Sequence, residues 1–193
     1  MEKLTGKKSN TAVFISGRGS NLKSLIKYSK SKYSLIKIKL VVSNTINAKG
    51  LNYAKKSKIK YYINNYKNIA VSEKQIFKQL SKFKIDLICL AGFMKILSEK
   101  FIKKFKKPIL NIHPSLLPKY KGLNTHKRVL KNNEKYSGST VHFVTPKLDS
   151  GKIILQKKIK VLKSDNVKIL EKKILKIEHK LYPEAIYKIL SNL

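Results

Sequence analysis

Residues 85–92 read IDLICLAG. From Leu87 the run is apolar without interruption until a glycine closes it. A strand with one wet face alternates apolar and polar residues, and this one does not. It reads as a strand covered on both faces, which is how strands of a parallel sheet lie between two layers of helices. The run therefore predicts an α/β fold, and the segments on either side of it agree.

Upstream, TAVFISG (11–17) is short, β-branched and closed by glycine, a buried strand. NLKSLIKYSKS (21–31) sets Leu22, Leu25 and Ile26 at helical spacing, with Ser20 or Asn21 as the N-cap. LIKIKLVVSN (35–44) is a second strand, AKGLNYAKKS (48–57) a short helix and IKYYI (59–63) a third strand. SEKQIFKQLSKF (72–83) is a helix with Ser72 as its cap. Downstream follow a short helix SEKFIKKF (98–105), a strand PILNI (108–112) and a helix HKRVLKNN (126–133). Two late strands, GSTVHFV (138–144) and KIILQKKIKV (152–161), precede a long amphipathic helix over 166–193 with Asp165 as a possible cap. Strand and helix alternating in this way predict a mostly parallel central sheet flanked by helices on both faces. There is no internal repeat and no Pro- or Ser-rich linker, so residues 1–193 read as a single domain, with 1–10 a flexible N-terminal extension.

The net charge of +34 invites a nucleic-acid reading. Against it, only Arg18 and Arg128 among the 44 basic residues are arginines, the side chain that dominates base readout and bidentate phosphate contacts. The lysines are spread through nearly every segment, as a lysine-biased composition spreads them, and nucleic acid is not the expected partner. The field would still draw in anionic small molecules. No apolar run approaches the ~20 residues that span a bilayer. Residues 1–10, MEKLTGKKSN, carry no signal-peptide core. Cys89 is the only cysteine, so no intrachain disulfide forms, and a reducing, cytoplasmic setting fits.

In sheets of this kind ligands bind at the carboxyl ends of the strands. There lies the loop SGRGSN (16–21), where glycines let a backbone approach a ligand and the next helix offers free N–H groups to a phosphate. It is not the dinucleotide fingerprint, because Leu22 stands where the third glycine belongs, and it is not a P-loop. There too lies LNIHPSLLPKYKGLNTH (110–126). Residues two apart in a strand face the same way, so Asn111 and His113 aim at one point, and Pro114 and Pro118 stiffen the exit. Asp149, between two strands, is one of only ten acidic residues. An amide donor, an imidazole and a carboxylate are the parts that addition to a carbonyl needs: two stabilise the oxyanion, and the third holds the imidazole and helps move a proton. The same residues also serve as ordinary strand-end and turn formers. His113, His126, His142 and His179 show no metal-ligand spacing, and no metal is expected.

Five segments carry a wider likeness: ISGRGSNL, LAGFMKILSEKF, LNIHPSLLPKYKGLNTH, GSTVHFVTPKLDSGKIILQ and EHKLYP, in this order and at fitting distances across residues 11–182. Together they resemble the phosphoribosylglycinamide formyltransferases. The resemblance implies a Rossmann-like formyltransferase fold and formyl transfer from 10-formyltetrahydrofolate to the amine of glycinamide ribonucleotide. By the same likeness Asn111 and His113 bind the oxyanion, and Asp149 keeps His113 charged. Gly19, Ser20 and Asn21 hold the substrate phosphate and Glu178 the ribose. Met94, Lys95, Ile96 and Leu97, with Asn111, take the folate. Lys152 stands where the family often has proline, and an arginine that often helps to bind folate ahead of residues 72–83 has only Lys74 as a weak substitute. The family further implies a monomer or weak homodimer. Two other readings are a methionyl-tRNA formyltransferase, whose usual C-terminal RNA-binding domain finds no room in 193 residues, and a non-catalytic folate- or nucleic-acid-binding module on the same fold.

Overall fold

The computed structural model describes residues 8–191. Its elements run β1 (Ser9–Ile15), α1 (Ser20–Ser29), β2 (Ile36–Ser43), α2 (Leu51–Lys56), β3 (Lys60–Ile63), α3 (Ile69–Lys82), β4 (Leu87–Leu90), α4 (Glu99–Phe105), β5 (Ile109–His113), α5 (Thr125–Lys131), β6 (Tyr136–Phe143), β7 (Ile153–Lys160) and α6 (Val167–Leu190). The strands form one seven-stranded sheet in the order β3-β2-β1-β4-β5-β6-β7. The ladders from β3 to β5 are parallel, and β6 and β7 are added antiparallel.

The double coverage expected of residues 85–92 is present. Side chains of successive residues leave a strand on opposite faces. Ala12 and Phe14 of β1 join Ile88 and Leu90 of β4 in a cluster closed by Ile76 and Leu80 of α3 and Phe101 and Phe105 of α4. Val13 and Ile15 join Cys89 and Leu110 on the other face, under Leu22 and Leu25 of α1, Leu51 of α2 and Tyr182 and Ile186 of α6.

Several helix starts differ from expectation. α1 is capped by neither Ser20 nor Asn21: Gly19, in the left-handed region at φ 72°, is the N-cap. α3 begins earlier than Ser72, because the Asn68 side chain accepts from Val71 N–H at 3.1 Å. At α6 the cap is Asn166, which accepts from Ile169 N–H, while Asp165 is taken up by Leu162 N–H and Lys173. β1 starts at Ser9, not Thr11, since Ser9 and Asn10 pair with Ile36 and Lys37 of β2. The extension expected over residues 1–10 is shortened accordingly, and its residues 1–7 lie outside the described ones.

Pro183 sits inside α6. Proline has no N–H, so it leaves the carbonyl four residues back, that of His179, without its helical donor. Ser24 of α1 supplies one, with Oγ donating to His179 O at 2.6 Å. Among the described residues no helix is long and apolar enough to cross a membrane.

Candidate active site

The strand order reverses direction between β1 and β4, and the crevice beyond their carboxyl ends is the natural ligand position in such a sheet. The loops that leave β1 and β4 are joined there: Met94 N–H donates to Ser16 Oγ at 2.7 Å. β5 adds Asn111 and His113 beside them.

The turn after β5 is held by buried hydroxyls. Ser139 Oγ donates to His113 O (2.9 Å), and Thr140 Oγ1 donates to Ser115 O (2.7 Å) and accepts from Leu117 N–H (3.2 Å). These bonds satisfy a backbone that makes no regular ladder, and they fix the direction of the His113 ring. The Leu117–Pro118 peptide bond is cis.

Asn111, His113 and Asp149 come together. His113 Nδ1 lies 3.4 Å from Asp149 Oδ2, and Asn111 Nδ2 lies 3.3 Å from Asp149 Oδ1. Asp149 reaches them from a left-handed backbone (φ 45°), uncommon outside glycine but tolerated by aspartate better than by most residues. Gly151 makes the approach possible: a Cβ there would sit 1.8 Å from Phe143 O. Gly122 N–H donates to Asp149 Oδ2 at 2.9 Å. Burial pushes the Asp149 carboxyl up. The neighbouring His142 and His113 and the Gly122 N–H outweigh it and bring the pKa down to about 2.

His113 is 6% exposed. Its Nε2 faces Tyr120 O at 2.8 Å, and a carbonyl only accepts, so Nε2 carries a proton. Nδ1 is then the nitrogen left to gain or lose one. Burial lowers the pKa of the ring, and the Tyr120 carbonyl and Asp149 pull it back only in part. The expectation that Asp149 keeps His113 charged meets this opposition, since burial holds the imidazole below its ordinary value.

The sequence reading missed His142. It stands opposite Asn111 in the β5–β6 ladder. Its Nδ1 donates to Phe143 O (2.8 Å), which leaves Nε2 to accept from Asn111 Nδ2 at 3.2 Å. The two hydrogens of the Asn111 amide are thus shared between His142 and Asp149. A histidine inside the apolar run GSTVHFV was the available signal.

The glycine loop is built by packing as well as by φ. A Cβ on Gly19 would lie 2.5 Å from the Gly50 Cα, and Gly50 N–H donates to Gly17 O (3.0 Å). Asn21 and Glu178 meet directly, Asn21 Nδ2 donating to Glu178 Oε2 at 2.7 Å. Glu178 is 4% exposed, and burial raises its carboxyl to about 7 against the pull of Asn21 and Ser139. Of the folate residues, Met94, Lys95 and Ile96 are exposed after β4, whereas the Leu97 side chain is buried in the core beside Phe101, so only its backbone is available. Leu123 and Leu148, neighbours of Gly122 and Asp149 in the chain, are exposed apolar side chains. Among the described residues no group of three or more His, Cys, Asp or Glu is placed to hold a metal ion.

The sequence pattern of the formyl transferase family matches residues 9–186. The phosphoribosylglycinamide formyltransferase of Haemophilus influenzae is 41% identical over 178 residues, 91% of this chain and 84% of that protein. The trifunctional purine biosynthetic protein adenosine-3 of Bos taurus is 43% identical over 96% of this chain, which spans only 19% of that protein's length. The crystal structure of phosphoribosylglycinamide formyltransferase from Anaplasma phagocytophilum superposes with a TM-score of 0.91 at 39% identity, covering 96% of this chain and 88% of that one.

Proposed function

Because the chain belongs to the formyl transferase family, we propose that it moves the formyl group of 10-formyltetrahydrofolate to the primary amine of glycinamide ribonucleotide. The products are formylglycinamide ribonucleotide and tetrahydrofolate, in cytoplasmic purine synthesis, and the enzyme is a monomer or weak homodimer needing no metal. The observation that carries the reading is the convergence of Asn111, His113 and Asp149 at the end of β5.

In this mechanism the amine nitrogen attacks the formyl carbon. A C–N bond forms, and the carbonyl π electrons move to oxygen. Asn111 Nδ2, turning one of its hydrogens away from His142 or Asp149, and a proton on His113 Nδ1 stabilise that oxyanion. Tyr120 O holds the ring by Nε2, which leaves Nδ1, beside Asp149, as the nitrogen available to the reacting atoms. Asp149, ionised at any pH well above 2, stabilises the imidazolium and takes part in moving the proton lost by the amine. The oxyanion then collapses, the bond from the formyl carbon to the folate N10 breaks, and N10 takes up a proton. Gly19, Ser20 and Asn21 bind the phosphate at the start of α1, and Glu178 binds the ribose. The backbone of Met94, Lys95, Ile96 and Leu97 reads the pterin, with Met94 and Ile96 giving it apolar cover.

The test is an absorbance assay of the purified protein with both substrates. Formylated product is expected from the native chain. His113→Ala should lose ~10²–10³ in kcat. Asp149→Asn should lower kcat far more than it changes either KM, as expected of an interaction made mainly in the transition state. Near-normal turnover of His113→Ala would remove this residue from the chemistry.

A further inference from the structure

We propose that Arg18 is a phosphate clamp held in reserve by Glu171, so that Glu171 sets how tightly the sugar-phosphate substrate is held. This rests on the reading of glycinamide ribonucleotide as that substrate. Arg18 stands between the two glycines of the loop that leads into α1, and its side chain, 72% exposed, is paired with Glu171 of α6. Glu171 lies seven residues before Glu178, two helical turns, so both carboxylates leave α6 on one side. One holds Arg18 and the other holds Asn21, and α6 thereby brackets the loop at both ends.

A phosphate dianion at the start of α1 changes the balance of that arrangement. It competes with Glu171 for the only arginine in the loop and is itself repelled by the Glu171 carboxylate. The exposed Arg18–Glu171 pair is worth little, because water and salt screen it. Arginine on phosphate gives a planar, two-pronged, charge-assisted contact that no lysine reproduces. The exchange therefore runs toward the ligand. A second observation shows that the loop expects more than a bare anion. Asn21 is 8% exposed, and its Oδ1 is buried with no hydrogen-bond partner. An acceptor left in this state wants a hydroxyl donor, and the ribose of a sugar phosphate brings such donors beside the anion.

Steady-state kinetics on Arg18→Gln, Arg18→Lys and Glu171→Gln, varying each substrate with the other saturating, test the proposal. Arg18→Gln should raise KM for glycinamide ribonucleotide about tenfold, with kcat and KM for 10-formyltetrahydrofolate nearly unchanged. Arg18→Lys should recover only part of the loss. Glu171→Gln should move the same KM the other way, lowering it roughly two- to fivefold, because a competitor and a repelling charge are both removed. A pair that merely braced the loop would make Arg18→Gln and Glu171→Gln behave alike, raising KM and lowering Tm together, and that result would overturn the clamp. So would an Arg18→Gln enzyme with native KM. In either case a native chain that formylates glycinamide ribonucleotide leaves the substrate reading standing, whereas a native chain inactive toward it removes both.

Discussion

Glu178 and His113 are buried ionisable groups whose surroundings push them in opposite senses. The Glu178 carboxyl is raised to about 7 by burial, above the 4.5 of an unfolded chain. Its contribution to stability is then fully present below pH 4.5 and is lost as pH rises through about 7, where a buried charge forms. Glu178→Gln keeps an acceptor for Asn21 and removes the charge. It should leave Tm near the native value at pH 5 and raise it at pH 8, with a gain in stability on the order of 1–3 kcal/mol. With Glu178 on the ribose as proposed, KM for glycinamide ribonucleotide should rise at both pH values. A Tm difference that does not grow between pH 5 and pH 8 would mean Glu178 is not titrating there. His113, His126 and His179 all lie below the ordinary imidazole value because of burial, so their stabilisation is present above pH 6.5 and declines as pH falls below it. The Asn–His spacing and the isolated Asp149 made the three converging side chains legible in the sequence. The Tyr120 carbonyl that fixes the tautomer and the Gly122 N–H that anchors the aspartate were not, because backbone groups have no signature in a string of side chains. His142 was hidden by its context, since an imidazole within an apolar strand looks like filler until the opposing strand is known.

At the scale of the element, apolar periodicity located every strand and helix, and the ends moved. Ser72, Asp165 and the Ser20–Asn21 pair were all reasonable caps by residue type. Asn68, Asn166 and Gly19 displaced them because cap choice depends on where the chain enters the helix, which the packing of neighbouring elements decides. Proline by itself breaks a helix, yet α6 runs through Pro183, as the single helix read over 166–193 requires. The reason lies outside the element: Ser24 of α1 feeds the carbonyl that proline leaves open. Removing that donor strands a polar group between two packed helices, at a cost of ~1–3 kcal/mol. Ser24→Ala should therefore lower Tm by several degrees, given ~2–4 °C per kcal/mol for a chain of this size. The same change made in a Pro183→Ala background should cost clearly less, because the backbone N–H restored at that position can bond His179 O. Equal costs in both backgrounds would show that the serine does not compensate the proline. Since α6 carries Glu171 and Glu178 up to this point, the proline site and the glycine loop share one support.

At the scale of the whole molecule, the sheet has two open ends, β3 and β7. β3 is only four residues long, and its outer residues Lys60 and Tyr61 are exposed. β7 is longer, and Lys157, Lys158 and Lys160 stand exposed along it. An unpaired strand is a template on which a second copy can add its own, and charge along it is the commonest deterrent. The excess of lysine, which gave no clue to the reaction, should thus keep copies of the molecule apart. The protection is electrostatic and so depends on the medium: screening shortens from ~10 Å at 0.1 M salt to ~3 Å at 1 M. Light scattering from a concentrated solution should report single particles at low ionic strength and growing ones as salt is added. Substituting threonine for Lys157, Lys158 and Lys160 should shift the onset to lower salt, and an unmoved onset would assign the repulsion to the remaining surface. For a sheet whose edge is guarded by charge, the ionic medium helps to decide, as much as the fold does, whether it stays finite at high concentration.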